Sequence, residues 1–189
     1  PIQEQTLMEL FTDCDICIAS AKPVTREMIE SAPNLRLIAV FGAGYNQIDI
    51  KAANEKGIFV TNARGGNARA VAEHTFATFL GLARKIVWDD KKVRANEWCN
   101  PMGYEIYGKT LGIVGFGAIG SEIAEIAKGG FNMDILVHDP YIDEKTIRQY
   151  GATSVPLSDL MSMADFISIN TPLNDMTKYL IDEKMLSLM

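Results

Sequence analysis

The sequence predicts an α/β protein built on parallel sheets, and three observations carry that prediction. Short apolar runs of strand length alternate with segments of helical periodicity along almost the whole chain. Two of those runs end in paired glycines that lead toward a helix, at Gly42-Ala43-Gly44 and at Gly115-Phe116-Gly117. The composition, 48% hydrophobic and 22% charged, is ordinary for a globular chain able to bury such sheets.

The first series is short. Pro1 enters almost directly into a helix, with no strand before it. "DICIAS" reads as a strand, "VTREMIESA" as a helix opening near Thr25, and "LRLIAVF" as a second strand. "QIDIKAANEKG" follows as a helix stopped by Gly57, then "IFVTN" as a third strand. Strand, helix and strand in succession mean parallel strands joined by crossovers, so residues 1–66 form a small flavodoxin-like α/β lobe.

The stretch "ARAVAEHTFATFLGLARKIVWDDKKVRANEW" repeats Val71, Thr75, Phe76, Phe79, Leu80, Ala83 and Val87 at helical spacing. It predicts one long amphipathic helix of the kind that joins two lobes. The domain change is placed near residues 64–70, with Gly65 and Gly66 as a hinge. After the breaker-rich "CNPMGYEIYGK", a second series occupies the rest of residues 67–189. Its strands are "TLGIVGF", "MDILVH", "ATSV" and "FISIN", and its helices are "AIGSEIAEIAK", "EKTIRQY", "SDLMSMA" and "DEKMLSLM", the last capped by Asp182.

The join between the first strand and helix of this series carries chemistry. An apolar strand from Leu111 runs into "VGFGAIG", where Gly115 permits a tight turn, Gly117 lets the backbone approach a pyrophosphate, and Gly120 lets the helix pack on the strand. The helix that begins at Ala118 and Ile119 turns free N–H groups and a positive dipole end toward the anion, and is expected to stop at Gly129-Gly130. About twenty residues past the last glycine, the next strand delivers Asp139, a carboxylate suited to ribose hydroxyls and repulsive to a 2′-phosphate. The pattern therefore selects NAD over NADP.

Asn170-Thr171-Pro172 ends another strand and opens "TPLNDMT", which makes Thr171, Pro172 and Thr177 candidate neighbours of the nicotinamide half. Four strands stand where a dinucleotide-binding sheet has two halves of three, so the sequence predicts an incomplete, Rossmann-type doubly wound sheet. The chain is accordingly expected to be an interior piece of a longer protein.

In the first lobe, the Gly42-Ala43-Gly44 turn has no acidic partner for a second dinucleotide. Exposed amides at such a turn suit a small anion, which makes Ala43 and Gly44 candidates for holding a substrate carboxylate. A net charge of −6 with no Lys/Arg cluster argues against nucleic acid or an anionic membrane as partner. No membrane-length apolar run and no signal-peptide pattern occurs, and three cysteines suit a reducing cytoplasm. Cys14 and Cys17 spell a CxxC, but strand alternation is expected to aim them at opposite faces, and no metal site is assigned. His138 is expected to pack or hydrogen-bond locally, and His74 diverges from its helical neighbour Glu73.

Taken together, "GAGYNQIDI…GIFVTN", "VAEHT…GLAR", Trp98, "GKTLGIVGFGAIG", "HDP" and "NTPLNDMTKYLI…KMLSLM" resemble the D-isomer-specific 2-hydroxyacid dehydrogenases, in that family's order and over nearly the whole chain. The resemblance implies a two-lobed enzyme, usually a homodimer, that moves a hydride between nicotinamide and C2 of a small 2-hydroxy or 2-oxo acid. It implies substrate or cofactor contacts at Ala43 and Gly44, a pyrophosphate loop around Ala118 and Ile119, ribose binding by Asp139, and cofactor contacts at Thr171, Pro172 and Thr177.

The family's catalytic arginine, glutamate and histidine are expected beyond Met189, so no catalytic residue is assigned within the chain, which on its own is expected not to turn over. "TNARGGN" imitates the arginine segment, yet it precedes the glycine loop instead of following it, and Arg64 is not assigned that role. The rival reading is a non-enzymatic NAD-sensing corepressor of the same fold. A third is an enzyme of the same architecture that acts on formate or phosphite.

Overall fold

A computed structural model describes residues 4–189 and separates the chain into two compact units, Pro1–Asn67 and Ala68–Met189. The helix expected after Pro1 is α1, Glu4–Thr12, and residues 1–3 lie outside the described part.

The first unit continues through β1 (Ile16–Ala19), α2 (Arg26–Glu30), β2 (Leu37–Val40), α3 (Ile50–Glu55) and β3 (Phe59–Asn62). Its sheet is parallel in the order β1-β2-β3, with Ile16, Leu37 and Phe59 in register. Alternation along β2 buries Ile38 and Val40 in a core with Met28 and Ile29 of α2 and Ala52 and Ala53 of α3. Ile18 and Phe59 are exposed, so among the described residues the apolar core of this sheet is one-sided. Thr25 caps α2 by accepting from the Met28 N–H at 3.4 Å, and Asp49 caps α3 by accepting from the Ala52 N–H at 2.8 Å.

The second unit contains α4 (Ala68–Ala83), α5 (Ile86–Arg94), β4 (Thr110–Val114), α6 (Ala118–Phe131) and β5 (Asp134–His138). It then adds α7 (Glu144–Gln149), β6 (Ala152–Ser154), α8 (Leu157–Met163), β7 (Phe166–Ile169) and α9 (Glu183–Leu186), capped by Asp182. Its four strands are all parallel in the order β6-β5-β4-β7. From Leu111 to Val114 the central strand β4 is buried on both faces, which explains its unbroken apolar run. On one face, Ala72 and Phe76 of α4 and Ile123 and Ala127 of α6 share a core with Leu111 and Ile113, and Phe76 stacks on Phe131 at 5.1 Å. On the other, a Cβ at Gly112 would lie 2.5 Å from Leu160 Cδ2, so the missing side chain is what lets α8 lie against β4. After β6 the chain returns to the opposite side of β4 to form β7, so the strand order reverses between β4 and β7, the kind of switch point at whose carboxyl ends open α/β sheets bind ligands. The parallel, Rossmann-type sheet expected from the sequence is present.

Three expectations are corrected. The long helix breaks at Lys85, which adopts a left-handed φ of 56°. The Ala83 carbonyl accepts from the Tyr104 N–H at 3.1 Å, and Val87, predicted on the buried stripe, is exposed beyond the break. Helix α6 runs through Gly129 and Gly130 to Phe131, because the Phe131 ring is anchored on Phe76, and it ends at Asn132 with φ 46°. Cys14 precedes β1 instead of lying in it, so the alternation argument fails: both Cys14 and Cys17 pack against the first unit's core.

Candidate functional site

Three strand ends meet at Gly115. Its N–H donates to the His138 carbonyl at 2.9 Å, and its φ of +90° is one that favours glycine. A Cβ there would stand 3.0 Å from the Asn170 carbonyl carbon and 3.0 Å from the Thr171 methyl. Gly115 is thus closed in by the ends of β5 and β7. Gly117 is exposed and is the N-cap of α6 with no side-chain acceptor on it, and a Cβ added there would meet no protein atom. Open space therefore faces the first turn of α6, where Ala118 is exposed and Ile119 half-buried. These amides could receive an anion from that space. At Gly120 an added Cβ would strike the Gly115 carbonyl oxygen, so this glycine lets α6 start directly against its own loop.

Asp139, one residue past β5, turns toward this loop. Its Oδ2 accepts from the Phe116 N–H at 2.7 Å and its Oδ1 from the Tyr141 N–H at 2.9 Å. A carboxylate has about four acceptor positions, so both oxygens keep capacity for sugar hydroxyls. Sequence reading assigned this side chain one task; the structure adds a second, holding the glycine loop in place. Below it, the buried Phe116 ring stands edge-on to Tyr150 at 5.3 Å. His138 bonds locally, its Nδ1 lying 3.2 Å from the Val155 carbonyl oxygen.

Past β7, Thr171 is half-buried with its methyl toward Gly115, and Pro172 is exposed. Thr177 lies farther along the loop with its hydroxyl already engaged. The hydroxyl donates to the Pro172 carbonyl and accepts from the Asn174 N–H at 3.0 Å. That side chain shapes the loop itself.

In the first unit, Gly42 leaves β2 with φ +146° and its carbonyl accepts from the Ala63 N–H at 3.0 Å. The Ala43 carbonyl accepts from Asn62 Nδ2 at 2.6 Å. Among the described residues the Ala43 and Gly44 N–H groups have no internal acceptor. Helix α3 begins only at Ile50, so the turn does not open straight into a helix as the sequence suggested. Asn62 is the functional candidate that sequence reading missed. The available signal was its position at the end of the strand that pairs with β2.

Arg64 is exposed in a turn beyond β3, and His74 is exposed on α4 while its neighbour Glu73 pairs with Arg69 at 3.8 Å. Burial pushes the Cys14 and Cys17 thiols up from their ordinary range, which makes them poor nucleophiles. Among the described residues no group of His, Cys, Asp and Glu is arranged to hold a metal ion.

Comparison with known proteins gives this geometry a family. Residues 76–189 match the sequence model described as "D-isomer specific 2-hydroxyacid dehydrogenase, NAD binding domain". A glyoxylate reductase of Pyrococcus furiosus is 39% identical over 198 residues, covering 100% of this chain and 59% of its own length. The chain thus spans about three-fifths of the length of such curated relatives. Among solved structures, an acyclic imino acid reductase in complex with NADPH and D-Arg is 32% identical with TM-score 0.86, covering 100% of this chain and 61% of its own. A D-lactate dehydrogenase from Aquifex aeolicus complexed with NAD and lactic acid is 27% identical with TM-score 0.85, covering 96% of this chain and 55% of its own. The glycine loop, its carboxylate and the strand order that brings them together are those of a chain that belongs to the D-isomer specific 2-hydroxyacid dehydrogenase family and carries its NAD-binding domain.

Proposed function

We propose that this chain is part of an oxidoreductase that moves a hydride between NAD and C2 of a small D-2-hydroxy or 2-oxo acid such as hydroxypyruvate, glyoxylate or phosphoglycerate. The observation that carries the reading is the Asp139 carboxylate drawn onto the Phe116 amide beside open space at the α6 N-terminus. In this reading Gly115, Gly117 and Gly120 make room for the pyrophosphate, the Ala118 and Ile119 amides hold it, and Asp139 holds the adenosine ribose. The charge on Asp139 disfavours a 2′-phosphate and so favours NAD over NADP. Thr171, Pro172 and the loop shaped by Thr177 border the nicotinamide half, and the Ala43 and Gly44 amides take the carboxylate of the acid.

NAD, when bound, supplies the hydride acceptor or donor. This chain's residues bind and orient, and none of them is assigned the proton transfer.

The protein is further proposed to be a cytoplasmic homodimer. Free thiols support the reducing compartment, and among the described residues no helix is long and apolar enough to cross a membrane. An apolar groove of about 900 Å³ along α4 and α5, with Leu82, Val87 and Trp88 exposed, supports a second copy as occupant.

The test is NADH oxidation by the protein carrying this chain at the full length of its relatives, with hydroxypyruvate, glyoxylate or pyruvate as acceptor. The expected products from hydroxypyruvate and pyruvate are D-glycerate and D-lactate on chiral analysis. NADH binding with no oxidation by any of the three acids would favour the sensor instead, and L products would contradict the reading.

A further inference from the structure

The peptide plane ties each carbonyl to the N–H that follows it. In a trans peptide the two point in opposite directions, and among the described residues every peptide bond is trans. Fixing the Gly42 carbonyl therefore fixes the Ala43 N–H, and fixing the Ala43 carbonyl fixes the Gly44 N–H. The first carbonyl is held by the Ala63 N–H at 3.0 Å, a backbone bond formed just past the last in-register pair of β2 and β3, Val40 and Asn62. Among the described residues no backbone donor reaches the second. It is held by Asn62 Nδ2 at 2.6 Å, from the half-buried last residue of β3, which is paired in register with Val40 at the end of β2.

We propose that Asn62 is the positioning residue of the 42–44 turn: its side-chain amide clamps the Ala43 carbonyl so that the Gly44 N–H joins the Ala43 N–H in facing the carboxylate of a small 2-oxo acid. The inference rests on the reading of this turn as the carboxylate site. It gives the "TNARGGN" segment a role through Asn62, the first of its two asparagines, with no part for Arg64. The Gln47 Nε2 bond, at 3.4 Å, goes to the Gly44 carbonyl, which shares its peptide plane with the Tyr45 N–H and so does not orient the Gly44 N–H.

The clamp makes an asymmetric signature. In the ¹⁵N-labelled chain titrated with sodium glyoxylate, the Ala43 and Gly44 amide signals are expected to shift together along one binding curve. In Asn62→Leu, which keeps the approximate volume and lacks the donor, the Gly44 response is expected to disappear while a weakened Ala43 response persists. Affinity should fall about tenfold, the loss of one such bond. The Val60 and Thr61 amides serve as the check that the sheet is intact.

Should Asn62→Leu fail to fold, the wild-type chain still decides the point: the Asn62 side-chain NH₂ signal should move on the same curve as Gly44. Variant and wild-type chains responding alike, or an Asn62 NH₂ signal that stays still while Gly44 moves, would overturn the clamp and leave the carboxylate site standing. No shift of either amide in the wild type at any glyoxylate concentration would remove the site and the clamp together.

Discussion

Asp139→Ala is expected to lower both cofactor affinity and thermal stability. The carboxylate accepts two backbone bonds, from Phe116 at 2.7 Å and Tyr141 at 2.9 Å, and alanine leaves both donors without it. Bonds to a charged acceptor contribute more than neutral ones, but the half-buried site is partly screened, so together they are worth about 2 kcal/mol. For a chain of this length that corresponds to a melting midpoint lower by roughly 4–8 °C. NADH affinity should fall at least tenfold, because the sugar contact is lost and the loop presenting the Ala118 and Ile119 amides is loosened.

Comparing Asp139→Asn with Asp139→Ala separates the two effects. The asparagine substitution keeps one neutral oxygen for the Phe116 N–H and loses the charge together with the acceptor that faces the Tyr141 N–H. Its midpoint should therefore lie between those of the wild type and Asp139→Ala, while its preference for NADH over NADPH should shrink as far as in Asp139→Ala. Thermal melts and NADH fluorescence titrations read the two quantities separately. An Asp139→Ala chain that melts and binds NADH like the wild type would show that the carboxylate holds neither loop nor sugar.

Gly120→Ala is expected to be the most damaging single methyl in the second unit. Its Cβ would strike the Gly115 carbonyl oxygen and lie 3.2 Å from the Ile113 Cγ2, and neither backbone nor the buried β4 side chain can move aside without shifting α6 off the sheet. Overpacking of this kind costs about 3 kcal/mol, and NADH binding should be lost with the loop geometry. Gly129→Ala supplies the contrast: it lies on the same helix, an added Cβ meets nothing within 4 Å, and its φ is not in the left-handed range. Alanine there should stabilise the chain by about 0.5–1 kcal/mol. Urea unfolding measures both, and a Gly120→Ala chain as stable as Gly129→Ala would refute the close approach of α6 to its loop.

Much of this architecture could be read from the residues because its causes are local. The apolar run of β4, the hydroxyl of Thr25 at the start of α2 and the carboxylate of Asp182 at the start of α9 each act within a turn or a strand of themselves. The glycine loop was legible for the same reason, since its three glycines and the following helix are contiguous.

What escaped depends on partners distant in sequence. The break at Lys85 accompanies a bond from Tyr104 to the Ala83 carbonyl, which no helical periodicity encodes. The continuation of α6 through two glycines accompanies the stacking of Phe131 on Phe76, in which tertiary packing outweighs local propensity. The Asn62 bond spans from the end of β3 to the turn after β2, and the second task of Asp139 needed the Phe116 amide to be brought beside it.

One carboxylate at the end of β5 selecting the cofactor that the α6 N-terminus grips is what all of the cofactor chemistry proposed for this chain depends on. Calorimetric titration of the 189-residue chain with NADH and with NADPH tests it most directly. The expected result is saturable NADH binding with NADPH at least tenfold weaker. NADPH binding as tight as NADH, or no binding of NADH at millimolar concentration, would contradict it.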